Sequence, residues 1–448
     1  MNNRDDDYFV KRSVTREETA KKDTSVHGQV KRPYADERIR PSGDDPRRRG
    51  SERAVTVPTK ENDLTKKTVN ALTFEKLEKP GSIDTVFLLL LLMVITVGTV
   101  MSFSASYAYA EKKYDDSYYL LIEHLKNLLF AALFFIGAMF SPPEIYKAFT
   151  YIITVISVIL LILVLFVGVV RNGAKRWIDP PLFPMFQPSE LAKLALVMIL
   201  SLYLNRYSEK VESKKLGTSF LYGIVFPMMM FGVFLVLLYF ENHFSAIIIF
   251  FCITFFMLII GKTKPGWILL IVLVAFVGIG LLISFSDYAV ERIKIWQDPW
   301  ADPSGDGWQT IQGLYAIASG GIFGVGLGNS RQKYGYVSEP QNDFIFTIVC
   351  EELGFVGALA VIVLFAALIL RGFYIARKSP NRFTYYLVMG LMIKLALQVG
   401  FNIAVVTNTF PNTGISLPFF SSGGTQLVLQ MIEMGLVLSV SRYCHLKK

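Results

Sequence analysis

The sequence predicts an all-α polytopic membrane protein with about ten transmembrane helices and a long fourth extracellular loop. Three observations carry that prediction. Of 448 residues, 52% are hydrophobic and only 18% are charged, against about 25% charged in a typical soluble domain. Charge is also unevenly spread: residues 1–80 hold 19 of the 45 Lys+Arg and 15 of the 36 Asp+Glu, which leaves 26 basic and 21 acidic residues for the last 368 positions. Finally, the apolar residues beyond position 80 fall into runs of about 20, the length that crosses a bilayer as a helix. Long, uniformly apolar runs favour helices over a barrel, because a helix satisfies its own backbone polar groups in lipid.

Residues 1–80 are rich in charge and poor in large aliphatics, with the run Arg47–Arg49 and scattered Pro, Gly and Ser. Such a segment buries too little apolar surface to offset its ordering entropy, so a disordered cytoplasmic tail is expected. It contains no apolar stretch that would read as a signal peptide. The membrane domain, 81–448, places spans near 84–106, 124–141, 148–170, 188–205, 219–240, 243–260, 266–285, 343–370, 384–408 and 424–441. Only Glu241, Asn242 and His243 interrupt the fifth and sixth, which predicts a tight helical hairpin. Arg206, Lys210, Lys214 and Lys215, then Lys262 and Lys264, then Arg371, Arg377, Lys378 and Arg382, and finally Arg442, Lys447 and Lys448 all fall on the side of the N-terminal tail. The positive-inside rule makes that side cytoplasmic and puts both termini inside. The net charge of +9 then reflects topology and anionic lipid rather than nucleic acid. Cys252, Cys350 and Cys444 have neither disulfide nor metal spacing.

The outer loops are where chemistry is expected. The loop 286–342 is far longer than an ordinary connection and too aromatic for disorder. Within it, Asp298, Asp302 and Asp306 are spaced by four between Trp296, Trp300 and Trp308. That set reads equally as metal ligands, as a general base, or as ordinary turn chemistry. Lys175 and Arg176 stand outside against the charge bias, which suits either an anionic partner or headgroup anchoring. Pro188 opens a helix in which Glu190 and Lys193 share one face, as an intrahelical pair or a functional one. Asp343 lies at the mouth of the eighth span with Glu339 a turn earlier, while Glu351 and Glu352 lie deeper and need a polar interior or water. The glycines of 319–329 have no preceding strand and no following GK[ST], so they make no nucleotide loop. The stretch PNTGISLPFFSSGGTQ, 411–426, puts irregular backbone at membrane depth, which is tolerated only where protein buries it or a cavity needs it.

Taken together, NGAKRWI, QPSELAK, DPWADPSGDGWQ, GLGNSRQKYGYVSEPQNDFIFTIVCEELG and GISLPFFSSGG, with SFSAS at 102–106, resemble the SEDS family of cell-wall polymerases (FtsW, RodA and SpoVE), in family order over 84–443. WQDPWAD and GLGNS look more like the division and sporulation branch. The resemblance implies a peptidoglycan glycosyltransferase that polymerises lipid II on the outer face of the cytoplasmic membrane, partnered by a single-pass class B penicillin-binding protein and aided by a divalent cation, Mg²⁺ or Mn²⁺. It implies Asp302 as the essential aspartate. Beside it, Lys175, Arg176, Glu190, Lys193, Gln309, Glu339, Asp343 and Ser421 are the candidate substrate-binding residues and Asp298 and Asp306 the candidate metal ligands, with Glu339 and Asp343 able to orient substrate or hold the metal. The chain departs from the family pattern in three places. Asn242-His243-Phe244-Ser245-Ala246 replaces a Pro-Asp-Phe-Gly-Thr-like stretch, Ser338 replaces a Pro, and Ser422 replaces a Tyr. The alternatives are a lipid-linked precursor transporter, which needs charges along a path across the membrane, and a silent scaffold for a penicillin-binding protein.

Overall fold

The computed structural model describes residues 80–171, 174–179, 185–284, 287–421 and 423–444; the tail expected over 1–80 falls, but for its last residue, outside them. Twelve helices follow one another among the described residues: α1 Thr85–Tyr114, α2 Tyr119–Phe140, α3 Pro143–Val167, α4 Pro188–Val211, α5 Leu216–Phe240, α6 Phe244–Ile260, α7 Pro265–Ser284, α8 Asp287–Gln297, α9 Trp308–Gly320, α10 Ile345–Arg377, α11 Arg382–Val406 and α12 Gly424–Ser441. Eight of them are long and apolar enough to cross a membrane, and α6 and the apolar part of α7 are shorter apolar helices at the two remaining expected positions. The ten expected spans therefore all coincide with helices.

Local sequence sets the boundaries. Asp84 caps α1 by accepting a hydrogen bond from the Phe87 amide at 2.8 Å, and Asn381 does the same for α11 through Thr384. Pro143 and Pro188 occupy first-turn positions, where the missing N–H costs nothing. Within α5, Pro227 cannot donate to the Gly223 carbonyl, and the backbone widens into a π turn over Leu221–Val225. Helix α10 breaks at Gly354, whose φ of 67° is open to glycine.

Helices α4, α11 and α12 bury most of their length, whereas α2 and α3 bury little and turn apolar side chains such as Leu129, Ile159 and Phe166 outward. Leu196, Leu200, Phe250, Ile253, Phe365, Leu387, Leu391 and Val437 belong to one continuous core. Gly435 lets α12 close on α2, since a Cβ there would stand 2.7 Å from the Phe135 carbonyl oxygen. On the face bearing the Lys/Arg-rich loops, buried Asp84 joins α1 to α10 through Arg371 at 2.7 Å.

Two departures from the sequence expectation concern the opposite face, that of the long loop. Helix α1 is 30 residues long and runs eight residues beyond the span expected to end at 106. Between α3 and α4 the chain forms a small antiparallel hairpin, β1 Val169–Arg171 with β2 Ala174–Trp177, prolonged by a bridge between Ile178 and Phe186. The long loop is itself structured by α8, a 3₁₀ turn over Pro299–Ala301, and α9.

Candidate active site on the long-loop face

Asp302 ends the 3₁₀ turn and is exposed. Its two carboxylate oxygens accept from the amides of Gly305 at 3.1 Å and Asp306 at 3.0 Å, while its carbonyl accepts from Gly307. The side chain is thereby fixed in one direction with lone pairs left for a ligand. The turn closes only around glycine: a Cβ on Gly305 would stand 2.0 Å from Asp302 Oδ2, and one on Gly307 2.0 Å from the Pro299 carbonyl oxygen.

The helix that follows this turn is cross-linked to the other expected residues. Trp308 Nε1 donates to the Tyr336 carbonyl at 2.8 Å, and Gln309 donates to Ser338 at 3.2 Å while accepting from Asn412 at 3.4 Å. Glu339 sits in the left-handed region at φ 48° and accepts from the Asn342 side chain at 2.8 Å. The Asn342 carbonyl accepts from Ser421, and that of Asp343 accepts from Asn402. Burial, with the Glu339 charge adding to it, pushes the Asp343 carboxyl up to about 6 against the counterweight of Arg292. Gln309, Glu339, Asp343 and Ser421 are thus gathered around one polar knot. Ser421 serves it as a tie that holds the 339–343 segment.

A second group lies across the 411–421 loop. Arg176 donates to the Asn242 carbonyl at 2.5 Å. Glu241 is 1% exposed, and neither of its carboxylate oxygens has a hydrogen-bond partner; His243 Nδ1, 3.8 Å away, has none either. Burial drives the Glu241 carboxyl up to about 8, with Arg176 opposing. Burial together with the charges of Arg176 and Lys193 holds His243 well below its ordinary value. Glu190 and Lys193 form the intrahelical pair at 2.6 Å, buried, one oxygen of Glu190 remaining unpartnered. A hydrogen bond from Ser245 to the Thr413 carbonyl joins this group to the 411–421 loop, and Arg292 donates to Asn412 of the same loop. Lys175 is exposed on the hairpin, and among the described residues no hydrogen bond joins its side chain to either group.

The expected cation ligands do not gather. Asp298 spends its carboxylate capping the 3₁₀ turn through the Trp300 amide, and no three His, Cys, Asp or Glu side chains converge among the described residues. A hard cation wants about six oxygen ligands, so the residues as placed do not form a protein cation site. Any cation would draw most of its ligands from elsewhere.

Sequence reasoning passed over four charged residues. Lys394 on α11 and Glu433 on α12 form a buried ion pair within electrostatic reach of Glu190 and Lys193. Each is a single ionisable residue inside a span, the signal that marks such positions. Lys333 reaches into the bundle to pair with Glu352 at 2.9 Å, and Ser104 donates to the same carboxylate. Beside it, Glu351 accepts from the Ser330 hydroxyl at 2.5 Å and the Arg331 amide at 2.9 Å. The two deep acids are therefore consumed in anchoring the loop. Glu241, read as a hairpin residue, is the fourth.

The fold and this site define a class: a multi-pass helical membrane protein with an exposed, rigidly held aspartate on a structured loop above a polar knot. A family model described as "Cell cycle protein", gathering FtsW, RodA and SpoVE, matches residues 84–446. The chain is 37% identical to stage V sporulation protein E of Bacillus subtilis over 82% of its length and 98% of that protein's. It is 35% identical to a probable peptidoglycan glycosyltransferase FtsW of a Geobacter species, over 80% and 96%. Among solved structures, a chain from a study titled "Structural coordination of polymerization and crosslinking by a peptidoglycan synthase complex" matches with TM-score 0.65 at 27% identity, covering 80% of this chain and 98% of that one. RodA of Thermus thermophilus shares the fold at TM-score 0.59 and 24% identity, over 82% and 98%. The chain belongs to the FtsW/RodA/SpoVE family.

Proposed function

We propose that this protein is a peptidoglycan glycosyltransferase that polymerises lipid II at the outer face of the cytoplasmic membrane. In this reading the Lys/Arg-rich loops and both termini are cytoplasmic and the long-loop face is outside. Asp302 supports it best: an exposed carboxylate, locked by two backbone amides, on a turn whose helix is tied through Gln309 to Ser338, next to Glu339.

The chemistry balances with one carboxylate. The 4-hydroxyl oxygen of one bound sugar attacks the anomeric carbon of the glycan carried on undecaprenyl pyrophosphate. The bond to the pyrophosphate oxygen breaks and its electron pair leaves with that group, so the anomeric centre inverts. Asp302 takes the hydroxyl proton. Because the leaving group is already a stabilised anion, the second carboxylic acid of a glycoside hydrolase is not required. Arg176, with Lys175 on the same strand, supplies positive charge toward the leaving pyrophosphate. Glu339 and Asp343 orient the bound substrate, and no step is routed through a metal. A transpeptidase of the penicillin-binding class is the expected partner, in line with the polymerisation and cross-linking named for the similar synthase complex.

The transport alternative draws on the row from Glu190 to Glu433, but each cation in it is already matched by a carboxylate. The deciding test is gel-resolved polymerisation of labelled lipid II by the purified chain with its co-encoded penicillin-binding partner, with and without Mg²⁺ or Mn²⁺. Long strands from the wild type and none from Asp302→Ala are expected. No strands from a folded complex under any condition overturns the assignment.

A further inference from the structure

A cavity of about 540 Å³ opens on the long-loop face between the end of α1 and residues 333–340, bordering the polar knot at Glu339. At 1.5 Å per residue α1 is about 45 Å long against a hydrocarbon core of about 30 Å, so roughly ten residues project from the membrane. Asp84 pins the other end beside Arg371, which sends the surplus to the long-loop side. One wall of the cavity is this projection, with Tyr109, Lys112 and Lys113. Lys112 is exposed and has no ion-pair partner among the described residues. Lys113 donates to the Tyr109 hydroxyl at 2.9 Å and lies over the Tyr109 and Tyr114 rings. The facing wall carries Tyr334, Ser338 and Glu339.

The facing wall belongs to the same segment that the Asp302 helix grips, because Trp308 and Gln309 bond to the Tyr336 and Ser338 carbonyls. An occupant of the cavity would therefore touch the segment that is tied to the reacting turn. Its chemistry follows from the walls: two exposed lysines and Tyr109 on one side, and on the other Tyr334 and the Glu339 carboxylate beside Lys333, whose buried ammonium is already paired with Glu352. The volume suits a ligand of a few residues, within the roughly 300–1,000 Å³ of small-ligand sites, and not a folded partner.

Resting on the polymerase reading, we propose that this cavity holds the peptide stem of the glycan being extended, a peptidyl-sugar bearing both carboxylates and a free amine. The lysines take its carboxylates and Glu339 takes its amine. Holding the stem there keeps the strand against the site between successive additions.

Binding is measured separately from turnover. The full chain carrying Asp302→Ala, in nanodiscs of neutral phospholipid, is titrated calorimetrically with a soluble disaccharide-pentapeptide lacking lipid and pyrophosphate. Saturable binding is expected, weakened about tenfold by Lys112→Glu with Lys113→Glu, restored by arginine at both positions, and weakened when the peptide amine is acetylated. Both lysines are exposed, so the variants keep the wild-type melting temperature. Absence of binding, equal binding of the disaccharide without peptide, or indifference to the lysine changes overturns the proposal. So does capture of phosphatidylglycerol vesicles that the same substitutions abolish, which would assign the lysines to lipid headgroups. Stem binding together with a folded wild-type complex that makes no strands would sink the polymerase reading alone, and wild-type polymerisation without stem binding would sink this proposal alone.

Discussion

Gly305 shows how far a single hydrogen atom decides the site. Replacing it with alanine would drive a methyl group into the Asp302 carboxylate, 2.0 Å away, while leaving every charge in place. Gly305→Ala is expected to abolish strand formation nearly as completely as Asp302→Ala, with an unchanged melting temperature; activity near wild type would show that the fixed direction of Asp302 is dispensable. Glu241 makes a different prediction. Its folded carboxyl is pushed to about 8 from an ordinary 4.5, so the folded state holds a proton that the unfolded chain has released. Stability is therefore fully present below about 4.5 and is lost as pH rises toward 8. His243, held below its ordinary 6.5, acts oppositely at lower pH, which leaves about 6.5 to 8 as the clean window. Across it the wild-type melting temperature should fall, and Glu241→Gln should flatten the slope. Parallel slopes would mean that Glu241 is already ionised. None of this was legible in the residues alone: Glu241 and His243 read as hairpin loop, and only packing shows that the Glu241 carboxylate and His243 Nδ1 are buried without hydrogen-bond partners.

The elements were legible wherever one physical rule governed them. Helices α4 to α6 emerge from apolar runs punctuated by Pro188 and by Glu241-Asn242-His243, because a bilayer imposes length and a turn imposes polarity. Helix α1 outruns its predicted end because Glu111, Lys112 and Lys113 are good helix formers once the membrane is left behind, and hydropathy marks the membrane rather than the helix. Lys394 and Glu433 escaped notice because one charge in an apolar run barely changes its average. The loop clamp on α10 escaped because its partners, Ser104, Lys333 and Glu352, are far apart in sequence. At this scale the clamp predicts an asymmetry. Lys333→Met leaves the Glu352 carboxylate buried without its cation, and breaking such a pair costs about 3–5 kcal/mol. Lys333→Met with Glu352→Gln should recover most of that loss in detergent melts, and a double variant as unstable as the single one would mean that the pair matters only through packing.

Across the whole molecule, rigid and adaptable parts are separated by depth. The centre is an apolar bundle threaded by closed ion pairs, Glu190 with Lys193 and Lys394 with Glu433. The long-loop face is irregular backbone whose polar groups are met by side chains, Asn402 donating to the Ile415 carbonyl and Gln430 accepting from the Phe419 amide. The break in α10 carries a consequence for how the chain enters the membrane at all. At Gly354 the helix and the segment 321–326 complete each other, Phe355 and Val356 donating to Gly321 and Ile322, and Val325 and Gly326 donating to Glu351 and Glu352. Until both are in place, a nascent α10 offers the translocation machinery a hydrophobic segment with two adjacent acids and bare amides in its first half. An acidic residue at a helix centre opposes insertion by about 2.5–3.5 kcal/mol. Residues 345–364 alone should therefore insert poorly in a glycosylation-mapping assay and well after Glu351→Ala with Glu352→Ala. Insertion of this helix must wait on the chain that precedes it, which makes the long loop a participant in the protein's assembly before it is part of any reaction.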